Sequence, residues 1–250
     1  MDQSPPAQTW NIKVLLLPPL MTALLFLSWK LPLIKPFWDH FDRFIFDLLN
    51  PWIHTNWFWQ NFWAFNGSWV MDWVHDIAML LFFLIPLYQA PKREKKRKLA
   101  ELIFSIFLLL FIIAIVNGTL FPEFLHTKRL SPTVIDPTAF RLSTAVNWIA
   151  VKDHSYASFP GDHGTFVMAF TCLIFYLIGK KAGTIAILYS IFFCLPRLIT
   201  GAHWFTDIFL GSLPIAIIMT SISFGTPFAY LLITGLEKGL AKLYTRADSK

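Results

Sequence analysis

The sequence predicts an all-α, polytopic membrane protein with six transmembrane helices plus interfacial amphipathic helices. Three observations point there. Charged residues make up 14% of the chain and hydrophobic ones 56%, whereas soluble domains carry about 25% charged residues. The mean hydropathy is +0.55. The apolar residues also gather into six stretches of about 16 to 22 residues, close to the length that crosses a bilayer core. A chain of 250 residues holds one such bundle and its loops, so 1–250 reads as a single integral-membrane domain.

Each element follows in chain order. Residues 1–12 show no basic n-region, and no small-residue cleavage site follows, so the first apolar run, 13–29, is expected to persist as a span kinked at Pro18-Pro19. Residues 31–68 are dense in tryptophan, with Trp38, Trp52, Trp57, Trp59 and Trp63. Tryptophan collects at the headgroup level. Phe37, Phe41, Phe44 and Leu48 recur there at helical spacing, which predicts one or two helices on the membrane surface, as an anchoring belt or a lipid-entry rim. Further spans are expected at 69–90, 99–120, 164–179, 182–199 and 205–224. The stretch 227–243 looks amphipathic and interfacial. Cys172 and Cys194 fall inside apolar segments and are expected to pack rather than pair.

The net charge of +6 does not point to nucleic acid, because the basic residues cluster beside apolar stretches, where they mark a cytoplasmic face. Lys92, Arg93, Lys95, Lys96, Arg97 and Lys98 lie between spans two and three, Lys180 and Lys181 between four and five, and Lys238, Lys242 and Arg246 in the tail. An even number of spans then places both termini in the cytoplasm. The connections 31–68, 121–162 and 200–204 face outward.

Ionisable groups near apolar spans need an explanation. Asp162 and His163 open span four, Arg197 closes span five, and His203 and Asp207 open span six, while Lys128, Arg129 and Arg141 sit in the long outer loop. By this topology all eight reach one face. His203 and Asp207 are four apart, so on a helix Asp207 would accept from one imidazole nitrogen and leave the other as a nucleophile. Arg197 offers a planar fork for phosphate oxygens. His163 follows Pro160-Gly161 at a helix start, where backbone N–H groups favour an anion, and is placed to give a proton to a leaving oxygen. A metal site built from His163, His203, Asp207 and His154 is the rival chemistry, disfavoured by the nearby cations. His40, His54, His75 and His126 have no clear partners and read as structural.

These motifs carry a resemblance. Arg197-Leu-Ile-Thr-Gly-Ala-His203-Trp-Phe-Thr-Asp207 has the R-x5-H-x3-D spacing of the third signature of the type 2 phosphatidic acid phosphatase superfamily. Phe159-Pro160-Gly161-Asp162-His163 is similar to the second, with Gly161 where the family has serine and Asp162 where it has glycine. The first signature, K-x6-R-P, is not matched: seven positions after Lys128 stands Ile135. Instead the chain reads Lys128-Arg129-Leu130-Ser131-Pro132-Thr133, and this block together with those at 158–164 and 196–212 resembles the lipid A phosphotransferase branch. The resemblance implies a nucleophilic His203 that becomes a phosphohistidine, Asp207 as its orienter, and His163 as general acid and later base. Lys128, Arg129 and Arg197 would bind phosphate with the backbone around Gly161 and Asp162, and Arg141 would be a further clamp. It implies no cofactor and no metal. Donor and acceptor would be undecaprenyl diphosphate and lipid A, on the periplasmic side of a Gram-negative inner membrane. With water as acceptor the same residues make a phosphatase. A transporter or channel would place charges at the midplane and show repeats, and the sequence shows neither.

Overall fold

The apolar stretches all become helices, and among the described residues no strand forms. The computed structural model describes residues 9–120, 123 and 129–247. Helix α1 spans Ile12–Lys30 and runs on through Pro18 and Pro19. The tryptophan-rich segment folds as α2 (Lys35–Leu49), a 3-10 turn (Asn50–Thr55) and α3 (Trp57–Asn66). Then come α4 (Trp69–Gln89), α5 (Lys95–Phe111, prolonged by a π-helical Ile112–Leu120), α6 (Asp162–Leu177) and α7 (Lys180–Ile199). A π-helical Asp207–Ser212 leads into α8 (Leu213–Gly225), and α9 spans Phe228–Ala247.

Five of the six expected spans have full crossing length and apolarity: α1, α4, α5 with its extension, α7, and α8 with its π-helical entry. The sixth, α6, has 16 residues, about 24 Å against a hydrocarbon core of about 30 Å. None of its residues is exposed. Val167, Ala169, Phe170, Leu173 and Ile174 are all fully buried, and α6 packs against α5, α7 and α8. By contrast α1 turns Leu16, Leu17, Leu20, Leu24 and Leu27 outward, as a lipid-facing helix does.

The tryptophan-rich segment forms two helices as expected, and α2 buries a carboxylate. Phe37, Phe44 and Leu48 are exposed while Asp42 is buried. The Asp42 carboxylate faces protein because it meets a cationic and a hydroxyl partner there, Arg129 and Thr206. Helix α9 has buried Ala229 and Ile233 in its first turns and lies antiparallel to α5. Phe228 meets Phe104, with ring centroids 6.4 Å apart, and Arg97 reaches Thr234 at 3.1 Å and Glu237 at 3.3 Å. Cys172 and Cys194 are free thiols on α6 and α7, in keeping with a packing role.

A cap closes one end of the bundle. Ile53, Trp63, Leu142, Val146 and Ile199 form its own small core. Buried Thr133 donates to the carbonyls of Asp153 (2.5 Å) and Gly201 (3.1 Å), tying the loop to the turn after α7. At Gly201 the backbone has φ +74° and a Cβ would lie 2.6 Å from Thr133, so only glycine fits. This turn sets the approach of Arg197 to His203.

Candidate active site

Where α6, α7 and the entry to α8 meet under the cap, the sequence-predicted residues converge. Gly161 caps α6, and Gly164 one turn on lets the α8 entry approach closely, since a Cβ there would lie 2.8 Å from Ser212 Oγ. The helix start holds His163 and Asp162. Their side chains meet, Nδ1 of His163 lying 2.9 Å from Asp162 Oδ1. On the other side of the ring, Nε2 is 3.2 Å from Asp72 Oδ2 and 3.0 Å from Arg197 Nη2. A ring with a carboxylate at each nitrogen is arranged as a proton donor.

Arg197, buried in the last turn of α7, donates to the Gly67 carbonyl at 2.6 Å and to both oxygens of Asp72 at 2.9 Å. Asp162 does the corresponding thing at the helix start. It accepts from the His163 backbone N–H at 2.9 Å and from Lys152 at 3.2 Å, while the Gly161 N–H donates to the Asp207 carbonyl at 3.3 Å. Two carboxylates therefore occupy positions that suit phosphate oxygens.

His203 departs from expectation in one respect. Its Nδ1–H donates to the Ser158 carbonyl at 2.8 Å, and Asp207 Oδ2 stands 3.7 Å from the same nitrogen. The spacing of four presumed a helix through 203–207, but His203 lies in the turn before the helix begins. Asp207, fully buried, instead accepts from the Trp204 N–H at 2.7 Å and from Arg129 at 2.8 Å. It supports His203 by charge, and the main-chain carbonyl fixes the ring. Nε2 of His203 is buried without a hydrogen-bond partner among the described residues, with Asp162 Oδ1 3.8 Å away.

Arg129 is held with Asp207 between it and His203. Its guanidinium meets Asp42 at 2.6 Å, Asp207 at 2.8 Å and Thr206 at 2.6 Å, and stacks near Trp29 and Trp204. Burial alone would lower its pKa, but Asp207 and Asp42 more than offset that and raise it. Its backbone carbonyl accepts from the Ser158 N–H at 2.8 Å, so the same residue steadies the carbonyl that holds His203. The fork expected to grip phosphate is thus committed to carboxylates. The partners of Arg141 are Asp153 at 3.3 Å and His154 at 2.9 Å, rather than His163 or His203. Lys128 and His126 lie outside the described residues.

A cavity of ≈ 250 Å³ opens beside His163, lined by Asp72, Asp76, Asp162, Phe166 and Phe193. Sequence reasoning missed Asp72, Asp42, Lys152 and Ser158. Asp72 and Asp76 sit within the apolar span 69–90, and the rule that flags ionisable groups in spans reaches them too. Asp42 looked like the polar face of an interfacial helix. Ser158 contributes a main-chain atom, which no residue type announces.

A family model described as the PAP2 superfamily matches residues 124–230. Lipid A 1-diphosphate synthase of Escherichia coli (strain K12) is 33% identical over 236 residues, covering 92% of this chain and 94% of that protein. No solved structure matches.

Proposed function

The chain belongs to the PAP2 superfamily, and from that premise we propose that it moves the terminal phosphate of undecaprenyl diphosphate to the 1-phosphate of lipid A through a phosphohistidine on His203. The coarser statement, a membrane enzyme that handles phosphate on lipids, rests on the family and on the apolar helices. The observation that carries the mechanism is the state of His203. With Nδ1–H tied to the Ser158 carbonyl, the lone pair sits on Nε2, which has no hydrogen-bond partner among the described residues and is available to attack phosphorus.

In the first step a bond forms between Nε2 and the terminal phosphorus. The bond from that phosphorus to the bridging oxygen breaks, and His163 gives its proton to the departing undecaprenyl phosphate. In the second, an oxygen of the lipid A 1-phosphate attacks the same phosphorus. The phosphorus–nitrogen bond breaks, its electron pair returns to Nε2, and His163 takes up the proton that the acceptor sheds. Arg197, exchanging Asp72 for substrate, supplies a planar fork for phosphate oxygens. Asp207 stabilises the positive charge that grows on the ring.

The site lies at the end of α4 and α6 opposite the basic connection 92–98. By the positive-inside rule it then faces the periplasm, with both termini cytoplasmic. The name of the relative favours a transferase over a hydrolase. The test uses undecaprenyl diphosphate labelled in its terminal phosphate, in vesicles with and without lipid A. Label is expected in lipid A. Label found only as free phosphate at every acceptor concentration would replace this reading with a phosphatase.

A further inference from the structure

The basic run between α4 and α5 separates into two groups. Arg93 pairs with Glu94, Arg97 with Glu101 and Glu237, and Lys98 with Glu101. Lys92, Lys95 and Lys96 meet no carboxylate among the described residues, and all three line one cavity of ≈ 580 Å³ whose apolar wall includes Leu84, Leu87 and Leu99. Its volume falls within the ~300–1,000 Å³ of small-molecule sites. Tyr244 from α9 closes one side, with the Lys96 ammonium 5.3 Å from its ring centre. Asp72 and Tyr88 are 16 positions apart on α4, so this cavity lies about 24 Å from the His163 cluster, toward the other membrane face.

Three ammonium groups with no carboxylate partner among the described residues stand at the rim of an apolar groove, at the ends of two candidate spans, and match an amphiphile with a phosphate head and acyl chains. We propose that this cavity is a binding site for an anionic glycerophospholipid of the leaflet opposite the catalytic cluster. The phosphate would sit among Lys92, Lys95 and Lys96, and a chain would lie along Leu84, Leu87 and Leu99. The inference does not depend on the reaction proposed above.

The test is binding of short-chain phosphatidylglycerol to the purified full chain in neutral detergent, read by native mass spectrometry and by thermal shift. Wild-type protein should bind it saturably and be stabilised, with phosphatidylcholine giving neither response. The triple variant Lys92→Gln, Lys95→Gln, Lys96→Gln should raise the half-saturating concentration on the order of 100-fold, at about fivefold per lysine. Leu84→Trp, which fills the groove without altering a charge, should also weaken binding. Lys180→Gln, Lys181→Gln, Lys238→Gln removes as much charge outside the cavity and should bind as wild type does. Equal loss in this control would reduce the effect to general surface charge and overturn the site. A full response to inorganic phosphate alone would overturn the lipid. Equal stabilisation by phosphatidylcholine would overturn the role of the lysines.

Discussion

At His203 the bond that orients the ring comes from the Ser158 carbonyl at 2.8 Å, and the Asp207 carboxylate stands back at 3.7 Å. This division has a testable consequence. His203→Gln should abolish labelled phosphoenzyme and cut turnover on the order of 10⁴-fold or more, as loss of a nucleophile does. Ser158→Ala keeps the carbonyl and should cost less than about tenfold, since only the hydroxyl bond to the Arg129 carbonyl at 3.1 Å is lost. A phosphoenzyme in a folded His203→Gln protein would remove this histidine as the nucleophile. Asp72 contacts both Arg197 and the Nε2 side of His163, so in the proposed reaction it would position the His163 ring. Asp72→Asn should lower turnover about 10- to 100-fold. The loss should be larger for a basic leaving group than for nitrophenyl phosphate, because the handicap falls on proton delivery. Equal losses on both substrates would limit Asp72 to shaping the pocket.

Among the elements, the turn from α7 to the α8 entry sets the geometry of the site. Gly201→Ala would place a methyl 2.6 Å from Thr133 at φ +74°, costing about 1–3 kcal/mol. It should lower the thermal midpoint in detergent and activity together, and an unchanged midpoint would show that the turn tolerates the methyl. The cap has its own pH signature through Asp153. Burial would raise this carboxyl's pKa, but bonds from Ser143 and His154 and the charge of Arg141 more than offset it and hold it below the usual carboxylate range. A depressed folded pKa means that its stabilisation is present above about pH 4 and is lost as pH falls through the folded value. Thermal midpoints should therefore drop on the acid side, and Asp153→Asn should flatten that drop while being less stable at neutral pH. A variant with an unchanged acid limb would assign the acid sensitivity to other carboxylates.

For the molecule as a whole, orientation ties the chemistry to a leaflet. Exposed Tyr156 on the cap and exposed Lys95 at the start of α5 lie at opposite ends of the bundle. Single cysteines at these two positions, with Cys172 and Cys194 replaced, should react with an impermeant maleimide from the periplasm and the cytoplasm respectively. Labelling of Tyr156→Cys only from the cytoplasm would invert the protein and take the periplasmic lipid acceptor with it. The placement of α6 at the centre also makes sense of its short length. A helix enclosed by α5, α7 and α8 need not match the lipid thickness itself, because its neighbours carry that boundary.

Six apolar stretches, the basic run at 92–98 and the local strings around His163 and His203 were legible in the sequence by itself. Hydrophobic length and charge placement act locally, and a turn that must present a histidine keeps its neighbours in the chain. The partners of those residues were decided only by the tertiary structure. Asp72 reaches His163 across 91 positions and Arg197 across 125, and Asp42 reaches Arg129 across 87. Pairs so far apart leave no periodicity to read. The carbonyl that orients His203 belongs to the main chain, which every residue shares, so no side chain signals it. For Arg129 the family resemblance implied phosphate binding, and its carboxylate partners Asp42 and Asp207 are visible only in the folded chain. Folding brought two carboxylates to it first, since a guanidinium buried beside Trp29 and Trp204 requires paired charge.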